Sequence, residues 1–292
     1  MKTKEIAFAF NCQDAELIGI VHLPEVPAKR GVLAVVAGGP QYRAGCCRQL
    51  VYMARSLAEE GIPVMRFDYR GMGDAGGKFS GFQNVEDDLR AALDVFIKTV
   101  PGLNEIVLWG GCDAGSAVLI NAWKYPIVSG IVLASPFVRA EQTHIAAVRH
   151  HYWKRIREKS FWIKLFQFRF NLAKTAQSFF HDLVLSRIKS RFKPSASKLE
   201  KDNRPFQELM LEGLEKFNGR VLLVMSGRSI EALEFDEVVA ESERWRKAID
   251  QTQLTRTDLA DADQAFSSLE SRNGLVDAGR GWLCAWPESP IN

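Results

Sequence analysis

Cysteine is scarce in this chain of 292 residues: there are five, an odd number, and none sits at a paired spacing. Cys46 and Cys47 are adjacent, while Cys12, Cys112 and Cys284 are scattered, so neither a disulfide framework nor a zinc-ligand pattern emerges. Stability must come from a packed core, which a chain of this length can bury without staples. No run of about 18 apolar residues occurs, so no transmembrane helix is expected. At the N-terminus, MKTKEIAFAFNCQDAEL meets acidic residues before any apolar signal core develops. Phosphate-binding loops of the G-x-x-x-x-G-K-[ST] type and dinucleotide loops of the G-x-G-x-x-G type are missing, and no metal or other cofactor is expected. No nucleic-acid-binding module is recognisable, and there is no internal repeat. Histidine is thinly spread: His22, His144, His150, His151 and His181 complete the set, and none follows His181. A reducing cytoplasm is the simplest compartment for such a chain.

What is present is an ordinary globular composition, with 47% hydrophobic, 25% charged and 10% aromatic residues. The length suits two domains, or one α/β domain carrying an insertion. The net charge of +3 conceals an asymmetry. Residues 139–204 hold 16 Lys and Arg against 5 Asp and Glu, while the remainder holds 22 against 30. A compact basic block inside an acidic protein suggests an inserted module with a partner of its own.

Along the chain, short apolar runs alternate with helical patterns. Residues 5–24 read as two short strands around a turn near Gln13-Asp14. GVLAVVAGG (31–39), IPVMRFD (62–68), EIVLWGG (105–111), VSGIVLASP (128–136) and RVLLVMSG (220–227) read as buried strands, and TQLTRTDL (252–259) as a further one. Helices are expected over 46–60, stopped at Gly61, over 84–100 with Asn84 as the cap, and over 113–123. This rhythm predicts a mostly parallel sheet with helices on both faces. The basic block breaks it. FWIKLFQFRFNLAK (161–174) places Phe161, Leu165, Phe168 and Leu172 on one helical face and Lys164, Gln167, Asn171 and Lys174 on the other. Such a segment either packs as a cap helix or meets a membrane surface or a lipid-like substrate.

The segment richest in chemistry is Leu108-Trp109-Gly110-Gly111-Cys112-Asp113-Ala114-Gly115-Ser116-Ala117. It follows an apolar strand and precedes a helical run, the setting of a G-x-S-x-G nucleophile elbow with Cys112 in the nucleophile position. Gly110 and Ala114 supply the small residues that so sharp a turn requires. A thiol at the following helix N-terminus should favour its thiolate, and the N–H of Asp113 would donate to an oxyanion. Against this stands the plain alternative of a small buried hydrophobe.

Gly38-Gly39-Pro40-Gln41 lies where α/β-hydrolases carry the loop with the second oxyanion donor; Pro40 has no N–H, which leaves Gly39 or Gln41. Asp68-Tyr69-Arg70-Gly71-Met72-Gly73-Asp74 resembles the D-x-R-G-x-G segment common in that fold. Together GGPQYR (38–43), FDYRGMGD (67–74), LWGGCDAGSA (108–117), SGRSIEALEF (226–235) and DLADADQAFS (258–267) resemble the α/β-hydrolases called exosortase A system-associated hydrolase 1, over nearly the whole chain. That resemblance implies an α/β-hydrolase core over 1–138 and 206–292, a basic helical cap over 139–205, and the nucleophile at Cys112. It also implies a bacterial cytoplasmic hydrolase associated with exopolysaccharide loci and the exosortase system.

The chain departs from the family pattern at two positions. The family's acid falls at Ser229 and its histidine at Gln264. Gln264 cannot accept a proton at any working pH, and Ser229 cannot carry the charge that steadies an imidazolium. Glu231, Glu234, Asp261 and Asp263 are nearby carboxylates, and His150 and His151 lie in the cap. Three readings follow. One is a cysteine-dependent hydrolase or acyltransferase acting on a small-molecule or lipid-like ester or thioester. Another is a pseudohydrolase that binds a ligand or a protein without turnover. The third has the basic cap docking on an anionic inner-membrane surface, and is compatible with either.

Overall fold

The apolar runs assemble into a sheet that carries the elbow at its centre. A computed structural model describes residues 2–37, 41–139 and 204–286. Among these are eight strands: β1 (Thr3–Cys12), β2 (Ala15–Pro24), β3 (Arg30–Val35), β4 (Val64–Asp68), β5 (Glu105–Gly111), β6 (Val128–Ala134), β7 (Arg220–Ser226) and β8 (Gln253–Leu259). The helices are α1 (Gln49–Glu59), α2 (Glu86–Thr99), α3 (Asp113–Asn121), α4 (Phe206–Lys216), α5 (Ile230–Glu241), α6 (Glu243–Gln251) and α7 (Leu269–Cys284). The strand order is β1-β2-β4-β3-β5-β6-β7-β8. β1 pairs with β2, and β2 with β4, antiparallel; every pairing from β4 to β8 is parallel. None of the described helices is long and apolar enough to cross a membrane. Residues 140–203, nearly all of the basic cap and with them the 161–174 segment and His144, His150, His151 and His181, lie outside the described residues.

Why the central strands read as unbroken apolar runs is now plain. β3 and β4 are buried at every position, and β5, β6 and β7 at nearly every one, because helices cover both faces of the sheet. β8, at the edge, alternates half-buried and exposed residues instead. The β1–β2 hairpin is longer than its weak alternation suggests, ten residues a side, and turns at Gln13 with a φ of 55°. Asn84 does not cap α2. It belongs to a preceding 3-10 turn, where its amide donates to the Ser80 carbonyl at 2.7 Å, and Val85 takes the cap position. Glu86, Asp87 and Asp88 in the first turn of α2 suit the positive end of its dipole.

The FDYRGMGD loop orders the approach to the site. Asp68, fully buried, accepts hydrogen bonds from the backbone and guanidinium of Arg43 and from the Asp74 N–H. That carboxylate anchors the strap that carries Gln41, Gly45 and Cys46. Gly73 is obligatory in the arrangement: its φ is 50°, and a Cβ would lie 2.5 Å from the Asp68 carboxylate.

A buried polar chain runs beside it. Arg66 donates to Nε2 of His22 at 3.0 Å, and Glu5 lies 3.6 Å from Nδ1. Burial, reinforced by Arg66, pushes the His22 imidazole down to about 4. A depressed histidine contributes stability that is fully present above pH 6.5 and is lost as the pH falls toward 4. Urea melts should therefore show the wild type losing up to about 3 kcal/mol more than His22→Gln across that interval.

Candidate active site

The geometry of the site begins with one strained residue. Cys112 joins the end of β5 to the start of α3 with φ 52° and ψ −128°, a conformation that non-glycine residues seldom adopt and that costs on the order of 1–3 kcal/mol. Three backbone hydrogen bonds hold it there. Its N–H donates to the Ala134 carbonyl at 2.9 Å, and its own carbonyl accepts from Ser116 N–H at 3.3 Å and Phe137 N–H at 3.0 Å. The strand is thereby turned into the helix under the control of both β6 and α3.

The expected small residues are where such a turn needs them. A Cβ on Gly110 would lie 2.5 Å from the Ala114 carbonyl oxygen, which is backbone and cannot swing aside. At neighbouring Gly111 the nearest atom would be 3.5 Å away, an ordinary contact. Gly110→Ala is expected to lower stability by at least about 2 kcal/mol, read as a fall in the denaturation midpoint, whereas Gly111→Ala should cost clearly less.

The electrostatics of the thiol differ from the expectation. Burial pushes the Cys112 thiol above its ordinary range. A hydrogen bond from the Gln264 amide and another from the Asp113 N–H favour the thiolate, as the helix N-terminus should, but the Asp113 and Glu231 carboxylates oppose it. Desolvation wins because the charged form is taken from water, while the favourable donors are few and neutral.

Gln264 reaches the Cys112 thiol. Its Nε2 donates to the Ser135 carbonyl at 3.1 Å, and its Oε1 is buried without a hydrogen-bond partner among the described residues. Ser229 does something else. It caps α5, accepting the Ala232 N–H at 3.0 Å, and receives a hydrogen bond from the Ser226 hydroxyl at 2.7 Å. The Ser226 and Ser135 hydroxyls lie 2.8 Å apart, and Ser135 Oγ accepts the Ser226 N–H at 2.9 Å. A chain of three buried serines thus runs from Ser229, where the acid was expected, to the residue whose carbonyl holds Gln264. Ser135 and Ser226 were not singled out in the sequence. Each is a small polar residue at a strand end, and 91 positions separate them, so only the β6–β7 pairing brings them together.

The other carboxylates are otherwise engaged. Asp261 pairs with Arg228, and Asp263 accepts from the Ser267 N–H at 2.8 Å and from its hydroxyl, which holds its carboxyl below the usual range. Arg139 lies 3.3 Å from buried Glu234 and 3.5 Å from Glu231. A cavity of about 180 Å³ opens over the elbow, lined by Cys112, Asp113, Gln264 and Gln41, with Cys46 and Gln49 from the strap and apolar walls from Val35, Leu50, Trp109 and Phe266. Gln41 therefore borders the same space as the Asp113 end of α3, while Gly39 lies outside the described residues. Among the described residues no histidine is beside Cys112; His22 is occupied with Arg66 and Glu5.

Comparison with known proteins places this arrangement. A protein-family model, Hydrolase_4, described as serine aminopeptidase, S33, matches residues 28–192. The structure resembles Pyrococcus furiosus esterase Pf2001, with a TM-score of 0.63 at 14% identity over 97% of this chain and 92% of that one. It resembles Est1E from Butyrivibrio proteoclasticus, solved with ferulic acid bound, at 0.58 and 16% identity over 95% and 98%. A thermostable carboxyl esterase from Bacillus coagulans, in complex with glycerol, matches at 0.60 and 14% over 97% and 98%. At these identities the likeness establishes the α/β-hydrolase fold. No curated protein matches the chain in sequence.

Proposed function

Because this chain belongs to the Hydrolase_4 family (serine aminopeptidase, S33), a family of α/β-hydrolases, we propose that it is a cysteine-dependent acyl-transfer enzyme acting on an ester or thioester. The observation that carries the reading is the strained elbow conformation of Cys112 at the floor of the cavity. Strain of that kind persists where surrounding structure enforces it, and here it presents a side chain to the space where a carbonyl would sit. The resembling proteins are esterases by name, which supports the ester class.

In the proposed reaction the Cys112 thiolate attacks the acyl carbon. The Asp113 N–H, with Gly39 or Gln41, receives the developing oxyanion. The alcohol or thiol leaves, and a thioester remains on Cys112. Gln264 holds the thiolate by hydrogen bonding but takes no proton, so the thiol proton passes to water and water in turn protonates the departing alkoxide or thiolate, a route that favours activated leaving groups. Hydrolysis of the thioester is the weak half, because no histidine among the described residues stands beside Cys112 to serve the water as general base.

Intact-mass spectrometry after exposure to a short activated acyl ester tests this. The wild type is expected to gain one acyl mass and Cys112→Ala none; equal labelling of both, or none of either, would reject the nucleophile. Since burial raises the thiol, the acylation rate should climb about tenfold per pH unit and show no plateau by pH 9. A plateau at neutral pH, followed by stopped-flow, would contradict the electrostatics described above.

A second reading is a pseudohydrolase that binds an acyl or saccharide ligand or a partner protein. It is favoured by Ser229, which is committed to a helix cap, and by Gln264, which is committed to the Ser135 carbonyl. Sustained turnover by the wild type, lost in Cys112→Ala, would end it. The resemblance to exosortase A system-associated hydrolases supports a substrate tied to exopolysaccharide assembly and a cytoplasmic location. The basic block 139–205, as an inserted cap, would then meet anionic inner-membrane lipid. Co-sedimentation with vesicles should rise with anionic lipid and fall with salt.

A further inference from the structure

Cys46 and Cys47 are neighbours in sequence whose thiols also touch. Consecutive side chains ordinarily diverge, by about 100° on a helix and to opposite faces on a strand. Here Sγ lies 3.7 Å from Sγ. The cause is the backbone. Cys47 (φ 50°, ψ 26°) and Arg48 (φ 60°, ψ 22°) are both left-handed, although neither is glycine, so the chain enters α1 through a tight reversal that swings the two side chains together. Left-handed residues of this kind cost on the order of 1–2 kcal/mol each. The two thiols also differ in position. Cys47 is exposed, whereas Cys46 is half-buried and forms part of the wall of the cavity that contains Cys112. Nothing in the acyl-transfer reading uses either of them.

We propose that Cys46 and Cys47 form a vicinal dithiol that peroxides oxidise reversibly to a disulfide, placing a redox-responsive bond in the wall of the reactive cavity. The exposed Cys47 thiolate attacks the peroxide, breaking the O–O bond, and becomes a sulfenic acid while the other oxygen leaves as water or an alcohol. The Cys46 thiol then displaces the sulfenic oxygen as a second water, forming the S–S bond. Two thiols are oxidised and one peroxide is reduced. A trivalent arsenical would be captured by the same pair: phenylarsine oxide exchanges its oxygen for two sulfur bonds and releases one water. Neither reaction requires Cys112 to be a nucleophile, so failure here and failure of the acyl-transfer reading are separable.

Trypsin should isolate the pair, since cleavage after Arg43 and Arg48 yields Ala44-Gly45-Cys46-Cys47-Arg48, which contains no other cysteine. After one equivalent of hydrogen peroxide and alkylation under non-reducing conditions, that peptide is expected two hydrogens lighter than the dithiol and unalkylated. Dithiothreitol should restore it to a doubly alkylated form. Phenylarsine oxide should add one equivalent to the wild type and none to C46S or C47S. The rate at which iodoacetamide alkylates Cys112 should change at least threefold on oxidation in the wild type and stay constant in C47S. Recovery of the peptide as two free thiols, as a sulfinic acid, or as Cys46 joined to Cys112 would overturn the proposal. A vicinal disulfide with unaltered Cys112 alkylation would overturn its link to the cavity.

Discussion

Gln264→His combined with Ser229→Asp should raise steady-state hydrolysis of an activated ester by about 10²–10⁴-fold, the contribution of a positioned general base. Each position already has hydrogen-bond partners that a replacement could use. Gln264 contacts the thiol and hydrogen-bonds the Ser135 carbonyl, so an imidazole there would have the nucleophile within reach. Ser229 receives a hydroxyl hydrogen bond from Ser226 and caps α5 through the Ala232 N–H. An aspartate would inherit both donors and is itself a good N-cap, stabilised by the helix dipole. Stopped-flow and steady-state assays should show where the gain falls. Release of the acyl group accelerates most, and the dependence on pH acquires the lower limb of a titrating histidine. Gln264→His alone should recover less, since its imidazolium would have no carboxylate to steady it. If the double variant folds normally and turns over no faster than the wild type, the slow step is not water activation.

Cys112→Ser should abolish acylation, slowing it by at least about 10³-fold, although the two side chains are nearly isosteric. Even raised by burial, a thiol ionises far more readily than a hydroxyl. A hydroxyl without a base stays protonated, and Gln264 offers a hydrogen bond but no basicity. The same substitution made together with Gln264→His and Ser229→Asp should be far less damaging, because the hydroxyl then has its base. That non-additivity, measured as single-turnover rates across the set of variants, distinguishes a thiol that substitutes for a lost base from a cysteine that merely fills space. Equal loss in both backgrounds would show that sulfur is needed for another reason.

The fold was legible because its signals are local and strong. EIVLWGG and RVLLVMSG are apolar runs of strand length bounded by glycine, and both became central strands of a sheet covered on two faces. The Gly110–Cys112–Ala114 pattern carried the elbow for the same reason: one turn demands small residues at fixed offsets. Helices α4 to α7 are not among those expected from the sequence, and Asn84 does not cap α2 because a 3-10 turn intervenes. The thiol is less acidic than its place at a helix N-terminus suggests, since that terminus is visible in the sequence while the extent of desolvation is not. The serine chain was invisible for a related reason. Its members come from the ends of two strands and a helix cap, and no local pattern joins Ser135 to Ser226 and Ser229.

The backbone of Cys112 is pinned by Ala134, Ser116 and Phe137, all through main-chain groups. None of those three bonds depends on which side chain stands at position 112, 229 or 264. The reactive geometry is therefore inherited independently of the reaction. Side chains at 112, 229 and 264 can therefore be exchanged without loosening the turn, whereas a branched residue at Gly110 would forfeit the framework itself. The turn is thus a property of the framework, separate from whatever chemistry the side chains perform on it.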